Sequence, residues 1–377
     1  MKTRTIPLGR IFNIPIGLDY SWFLIFILLT WSLAGSYYPS EFKNWPLAEY
    51  WIVGAITAIM LFVSVLLHEL GHSIVALRYK IPVRSITLFI FGGVAQIAAE
   101  PPTASAEFWI ALAGPIVSFA IAGIFAILQP LATGFTPLLA LAKYLAYINA
   151  TLGLFNLIPG FPLDGGRVFR AIIWGISHSY RRATLIAGWV GRIVAFGFIL
   201  VGVYFMFNGN IISGLWIAFI GWFLESAAQT QVQQQEVHDL LEGHQVLQAM
   251  SRDFTFIPAD TSLQQLADEY ILGSGRRFFN VEQDSQVIGL LTLQSVKQVP
   301  RSEWLTTRVA QIMVPAEQMH WVKPETLIWD ALEKMDRDGV NQLPVMVNGQ
   351  VVGLLTRENI ISLLRTLQKF KANPLTN

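Results

Sequence analysis

Residues 51–77 read WIVGAITAIMLFVSVLLHELGHSIVAL, and their only ionisable groups are His68, Glu69 and His72. Positions four apart share one face of a helix. The HExxH spacing therefore lets two imidazoles grip one metal ion, with the glutamate beside them to move a proton from water. Ionisable side chains inside a membrane helix are costly and are functional by default. The bland alternative is a pair of histidines satisfied by neighbouring helices. The chemistry indicated is metal-assisted hydrolysis, and zinc is the metal that suits it. Catalytic zinc takes three protein ligands and keeps one position open, so a third ligand is needed from elsewhere.

His178 lies among polar and basic residues, and His238, His244 and His320 belong to a polar C-terminal part. Glu100 and Glu107 flank the start of a later apolar run. Asp164 stands out, in NATLGLFNLIPGFPLDGGRVFR, where Pro159, Gly160 and Pro162 interrupt an apolar run. Proline lacks the backbone donor and ends a helix, and Gly165-Gly166 permits a sharp turn. A broken span end can carry a carboxylate back toward the paired histidines. The other reading of Asp164 is a helix cap.

These residues need a scaffold, and composition says which kind. The chain has 377 residues, 53% hydrophobic and 14% charged, where a soluble domain carries about 25% charged residues. Residues 1–230 hold 13 Lys/Arg against 8 Asp/Glu, and residues 231–377 hold 13 against 17, so +5 is followed by −4. A membrane part precedes a soluble one. There is no cysteine, hence no thiolate chemistry, and nothing suggests nucleic-acid binding. The first apolar run, from Tyr20, is long enough to span, so no cleavable signal peptide is expected.

A hydrocarbon core of about 30 Å needs about 20 helical residues. Six spans are expected near 19–37, 51–77, 107–130, 138–158, 184–207 and 211–228. Basic residues cluster before the first span (Lys2, Arg4, Arg10), after the second (Arg78, Lys80, Arg84) and between the fourth and fifth (Arg167, Arg170, Arg181, Arg182). Basic loops face the cytosol, which puts both termini there. His68 precedes Arg78 by ten residues, a depth of about 15 Å from the cytosolic interface. Arg192, inside the fifth span, reads as a snorkelling cation or a gating contact, and Glu225 as interfacial. Two stretches, 10–18 and 85–99, are β-rich and are expected on the cytosolic face. The second contains Gly92-Gly93, and its strand edge at 85–97 could hold an unwound substrate segment by strand addition.

Beyond Ala228 a Gln-rich segment, 229–245, reads as a linker, with a helical linker as one form of it. VLQAM (246–250) then recurs as VAQIM (309–313), and VIGLLT (287–292) as VVGLLT (351–356). Two copies, 246–300 and 301–377, form one α/β module in which each buries its apolar face on the other. The fold class is thus a polytopic α-helical membrane domain, 1–228, with about six spans and a small β region, followed by an α/β pair.

His68-Glu69-Leu70-Gly71-His72 followed by Asn156-Leu157-Ile158-Pro159-Gly160-Phe161-Pro162-Leu163-Asp164-Gly165-Gly166 resembles the site-2 protease family of intramembrane zinc proteases. FGGVAQ (91–96) also matches a glycine-containing strand region of that family. The resemblance implies one zinc ion held by His68, His72 and Asp164, with Glu69 as general base and later acid. It implies Asn156 as a group that positions or stabilises the developing oxyanion, and a membrane protein with a transmembrane helix as substrate. The recurring GLLT strands resemble a CBS-domain pair. There a Thr/Ser-x-x-Asp/Asn holds a nucleotide ribose. Thr356-Arg357-Glu358-Asn359 matches; Thr292-Leu293-Gln294-Ser295 departs at its last position. At most one site for ATP or AMP follows, at Thr356 and Asn359. The alternative is a pair that only shapes the chain or joins it into a homodimer. Two rival functions remain beside the protease. One is a CBS-gated metal-ion transporter or channel, and the other a non-enzymatic scaffold.

Overall fold

The computed structural model describes residues 5–252, 255–271, 278–284, 286–348 and 350–372. The chain divides into two compact units, Met1–Gln235 and Glu236–Asn377.

The first unit holds six helices long and apolar enough to cross a membrane. They are α1 (Ser21–Ser32, continued by a π-turn and a short helix to Glu41), α2 (Leu47–Arg78), α3 (Ala104–Leu131), α4 (Thr136–Asn156), α6 (Tyr180–Phe207) and α7 (Ile211–Leu241). Helices suit these runs because each satisfies its own backbone donors and acceptors without water. Small residues let them close up: a Cβ on Gly54 of α2 would stand 3.3 Å from the Thr30 carbonyl oxygen. The buried Tyr38 hydroxyl bonds Thr57 of α2 at 2.7 Å.

Two further details of these elements matter. Residues 157–163, after the fourth span, form the expected irregular segment of turns and bends, and Asp164 then opens α5 (Asp164–Ser177), a separate 14-residue helix. The sixth helix runs to Leu241, so residues 229–241, read as a linker, are helical. Glutamine and glutamate are good helix formers, and their polarity speaks only about what surrounds them.

Both β-rich stretches join one four-stranded sheet, ordered β1 (Thr5–Ile11), β2 (Ile14–Asp19), β3 (Val83–Phe89), β4 (Gly92–Ile97). β2 and β3 run parallel, with Ile16 opposite Ile86, and the other two pairs are antiparallel. Ile14, Ile16 and Ile86 pack with Leu66 and Leu70 of α2. This lays the sheet on the helix that carries the histidines and leaves β4 as an edge.

The second unit shows the expected internal repeat. Hairpin β6 (Phe278–Gln283) and β7 (Gln286–Thr292) corresponds to β9 (Gln342–Val347) and β10 (Gln350–Thr356). β5 (Phe256–Pro258) and β8 (Val314–Pro315) flank the first hairpin. α8 (Ile328–Asp338) and α9 (Arg357–Ala372) accompany the second. The leading segments are exchanged between copies. Val246 packs with Ile328, Leu343 and Leu355, while Val309 packs with Ile257, Phe279 and Leu291.

Candidate metal centre

His68 and His72 are successive turns of the buried face of α2, each 4% exposed. Their Nε2 atoms lie 3.2 Å apart. Oδ2 of Asp164, the first residue of α5, sits 3.1 Å from His68 Nε2 and 3.2 Å from His72 Nε2. Among the described residues this is the one group of His, Asp and Glu whose ligand atoms gather closely enough to hold a metal ion.

Asp164 reaches that place through tight backbone packing. A Cβ on Gly160 would stand 2.5 Å from the Gly191 Cα of α6, one on Gly165 2.5 Å from the Ile158 carbonyl oxygen, and one on Gly166 2.5 Å from the Phe161 nitrogen. Any side chain at these positions would push the first turn of α5 away from α2.

The far nitrogens of both rings are fixed by α3. His72 Nδ1 lies 2.7 Å from the Ile110 carbonyl oxygen, and His68 Nδ1 lies 2.9 Å from the buried Ser118 hydroxyl. Such partners hold a ligating imidazole in one orientation, and the Ile110 carbonyl, which only accepts, also sets the tautomer of His72. α3 can come this close because it presents Gly114 to the rings. A Cβ there would overlap His72 Nε2 and stand 2.6 Å from His68 Nε2. Neither Ser118 nor Gly114 was singled out from the sequence, yet Gly114-Pro115-Ile116-Val117-Ser118 is a small-xxx-small run, the pattern of close helix contact in membranes.

The donor set fits zinc. Three lone-pair donors at 3.1–3.2 Å from one another repel unless a cation lies among them. A tetrahedral zinc with ligands at about 2.0–2.2 Å separates its donors by about 3.3–3.6 Å, within a few tenths of an ångström of this arrangement.

Glu69, half-buried, points toward the sheet. Its Oε2 accepts the Ala95 N–H of β4 at 3.1 Å. Gly93 makes the approach possible, since a Cβ there would fall 2.6 Å from Glu69 Cγ. Gly92 opens β4 at φ +129°, facing nothing nearer than Val65 at 4.0 Å. Asn156 is the last residue of α4 and half-buried. Its side-chain amide has no hydrogen-bond partner among the described residues.

The comparisons with known proteins bear on the family of the chain. The model of "Peptidase family M50" matches residues 56–139 and 131–201, and that of the "CBS domain" matches 309–366. Two proteins, both called "Putative zinc metalloprotease", are similar over nearly the whole chain. One is sll0528 of Synechocystis sp., 36% identical over 367 residues, which are 96% of each chain. The other is Rip3 of Mycobacterium tuberculosis, 35% identical over 374 residues, 98% of this chain and 95% of that one.

The chain belongs to peptidase family M50.

A solved structure, "Site-2 Protease from Methanocaldococcus jannaschii", is 33% identical and covers 60% of this chain and 95% of its own, with TM-score 0.43. As an M50 peptidase with HExxH on a membrane helix, the chain is an integral membrane protein and an intramembrane metalloprotease, and it carries a C-terminal CBS fold. The resemblance read from the motifs therefore holds at the level of family and activity.

The remaining sequence candidates lie apart from the donors. His178 caps the C-terminus of α5 and is exposed. His320 pairs with Asp338 at 2.9 Å in the second unit. Glu107 pairs with Arg170. Arg192 forms a 3.3 Å ion pair with Glu225 and lies over the Trp189 ring at 5.3 Å, which joins α6 to α7. In the second unit, Thr356 Oγ1 donates to Asn359 Oδ1 at 2.7 Å and accepts the Asn359 N–H at 3.1 Å. The two residues thus cap α9. A cavity of about 460 Å³ lies beside them, lined by Thr292, Gln342, Pro344 and Arg357 among others; Thr356 and Asn359 do not line it.

Proposed function

We propose that this chain is a zinc endopeptidase that cuts membrane proteins within or near their transmembrane segments, with His68, His72 and Asp164 as the ligands of one zinc ion. The observation that carries the reading is the meeting of three donor atoms at 3.1–3.2 Å, two of them on rings whose other nitrogens are already engaged.

When bound, zinc supplies Lewis acidity, which polarises the scissile carbonyl and makes water a better nucleophile. Glu69 is the proton carrier. The Ala95 N–H holds one of its carboxylate oxygens, and the other is left to take a proton from the attacking water. The same proton goes to the amine nitrogen as the C–N bond breaks. Asn156, whose amide is uncommitted, donates to the carbonyl oxygen as negative charge develops there. The substrate helix must unwind to expose a carbonyl. The β4 edge, with Gly92 and Gly93 at its start, receives the unwound segment as an added strand.

The basic clusters put both termini and the CBS pair in the cytosol, with the donors nearer that side. The cavity beside Pro344 and Arg357 is the place for an adenine nucleotide, and Thr356 and Asn359 act on it only indirectly, by capping the helix that begins with Arg357. The pair also offers a route to a homodimer.

The test is coexpression of wild type or Glu69→Gln with candidate single-span proteins, combined with metal analysis of both purified chains. Fragments released by wild type alone, with zinc present in both, support the protease. A metal-ion transporter would keep its flux in Glu69→Gln, and a scaffold would be indifferent to the change.

A further inference from the structure

One buried charged pair takes no part in the chemistry above. Glu107, near the start of α3, is 0% exposed, and Arg170 of α5 is 5% exposed. Arg170 Nε donates to Glu107 Oε1 at 2.6 Å, and its Nη2 donates to the same oxygen. Nη1 reaches Thr184 Oγ1 of α6 at 3.5 Å. The guanidinium also lies against two rings, 5.0 Å from the centroid of Phe161 and 4.6 Å from that of Tyr180. A buried ion pair is weak support for stability, because apolar residues of similar volume often serve as well. Charges kept here need another reason.

The two helices that they join supply it. α3 orients both imidazoles, through Ile110 and Ser118, and Glu107 lies one turn before Ile110. α5 starts at Asp164, and Arg170 follows six residues later, about 9 Å along the axis. The N-terminus of α5 has no side-chain cap of its own. We propose that Glu107 and Arg170 are positioning residues that fix the rotation and height of α5 on α3, so that the Asp164 carboxylate arrives between the two ring nitrogens. One helix then sets all three donors. The inference rests on the reading of His68, His72 and Asp164 as zinc ligands. Arginine is suited to the task. Its rigid fork, held by one oxygen and two ring faces, defines an orientation that a flexible ammonium cannot.

The test uses the full-length protein in detergent. Zinc affinity is measured by competition with a chromogenic chelator, and folding by thermal midpoint without added metal. The variants are Arg170→Lys, the double variant Glu107→Leu/Arg170→Met and, as a reference, His68→Ala. The double variant leaves no unpaired charge and should melt near wild type. Its zinc affinity should nevertheless fall tenfold or more, as happens when groups behind metal ligands are lost. Arg170→Lys should fall in the same direction, with kcat lowered and KM little changed. Wild-type zinc affinity in either folded variant overturns the inference. So does failure of both variants to fold, which would make the pair a folding element. Wild type that binds no zinc, or His68→Ala that binds it as tightly as wild type, sinks the ligand assignment instead.

Discussion

His72 Nδ1 stands 2.7 Å from the carbonyl oxygen of Ile110. A carbonyl only accepts, so the ring carries its proton on Nδ1 and turns the Nε2 lone pair toward Asp164. One backbone atom of α3 thereby decides what a side chain of α2 can bind.

Ser118 engages His68 Nδ1 at 2.9 Å and orients that ring, although a hydroxyl, which donates or accepts, does not by itself choose the tautomer. Ser118→Ala should weaken zinc binding about 10–100-fold, with helical content by circular dichroism unchanged. Chelator competition measures it. An affinity equal to wild type would show that the hydroxyl only fills space.

Glu69→Gln keeps the volume of the side chain and removes its basicity. Cleavage of a single-span reporter should drop by about 10²–10⁴-fold, while bound zinc stays at the wild-type ratio. Loss of zinc together with activity would move Glu69 from proton transfer to ligand positioning.

Gly114→Ala places a methyl group where the two ring nitrogens meet. Zinc and activity should both be lost. Gly123→Ala, on the same helix with nothing within 4 Å of the added Cβ, should behave as wild type. Equal behaviour of the two variants would refute the close approach of α3.

Gly93→Val drives a side chain into Glu69 Cγ. Zinc should remain, and turnover should collapse through the displaced carboxylate. Gly92→Val leaves Glu69 untouched but strains a backbone at φ +129°. Unchanged turnover by Gly92→Val would remove that residue from substrate binding.

If the CBS pair takes an adenine nucleotide in the cavity beside Arg357, Arg357→Ala should weaken ATP binding to the full-length protein. A coupling of about 1–3 kcal/mol would change cleavage about 5–150-fold. Reporter cleavage titrated with ATP reads the sign and the size. A flat titration with no binding leaves the pair a structural or dimerising element.

The spans, the β stretches and the C-terminal repeat were legible because hydropathy and self-similarity are local properties of a sequence. So were the donors, since HELGH and the Pro-Gly-x-Pro-x-Asp-Gly-Gly run carry their chemistry in a few consecutive residues. What stood behind them was not legible. Ile110 acts through a carbonyl that every residue owns, and Ala95 through an equally common N–H. Glu107 was noticed as an acidic group near the membrane, but its partner lies 63 residues away. The Gln-rich composition at 229–241 left both a loose and a helical linker open, and only the structure shows that the sixth helix continues through it.

The hydrogen bond from Ala95 to Glu69 makes a strand edge and a carboxylate one mechanical piece. A peptide laid along that edge is measured from a fixed mark. Under the proposed strand addition, the place of the cut would be a matter of counting residues from the end of the substrate helix, and the identity of the side chains there would recede in importance.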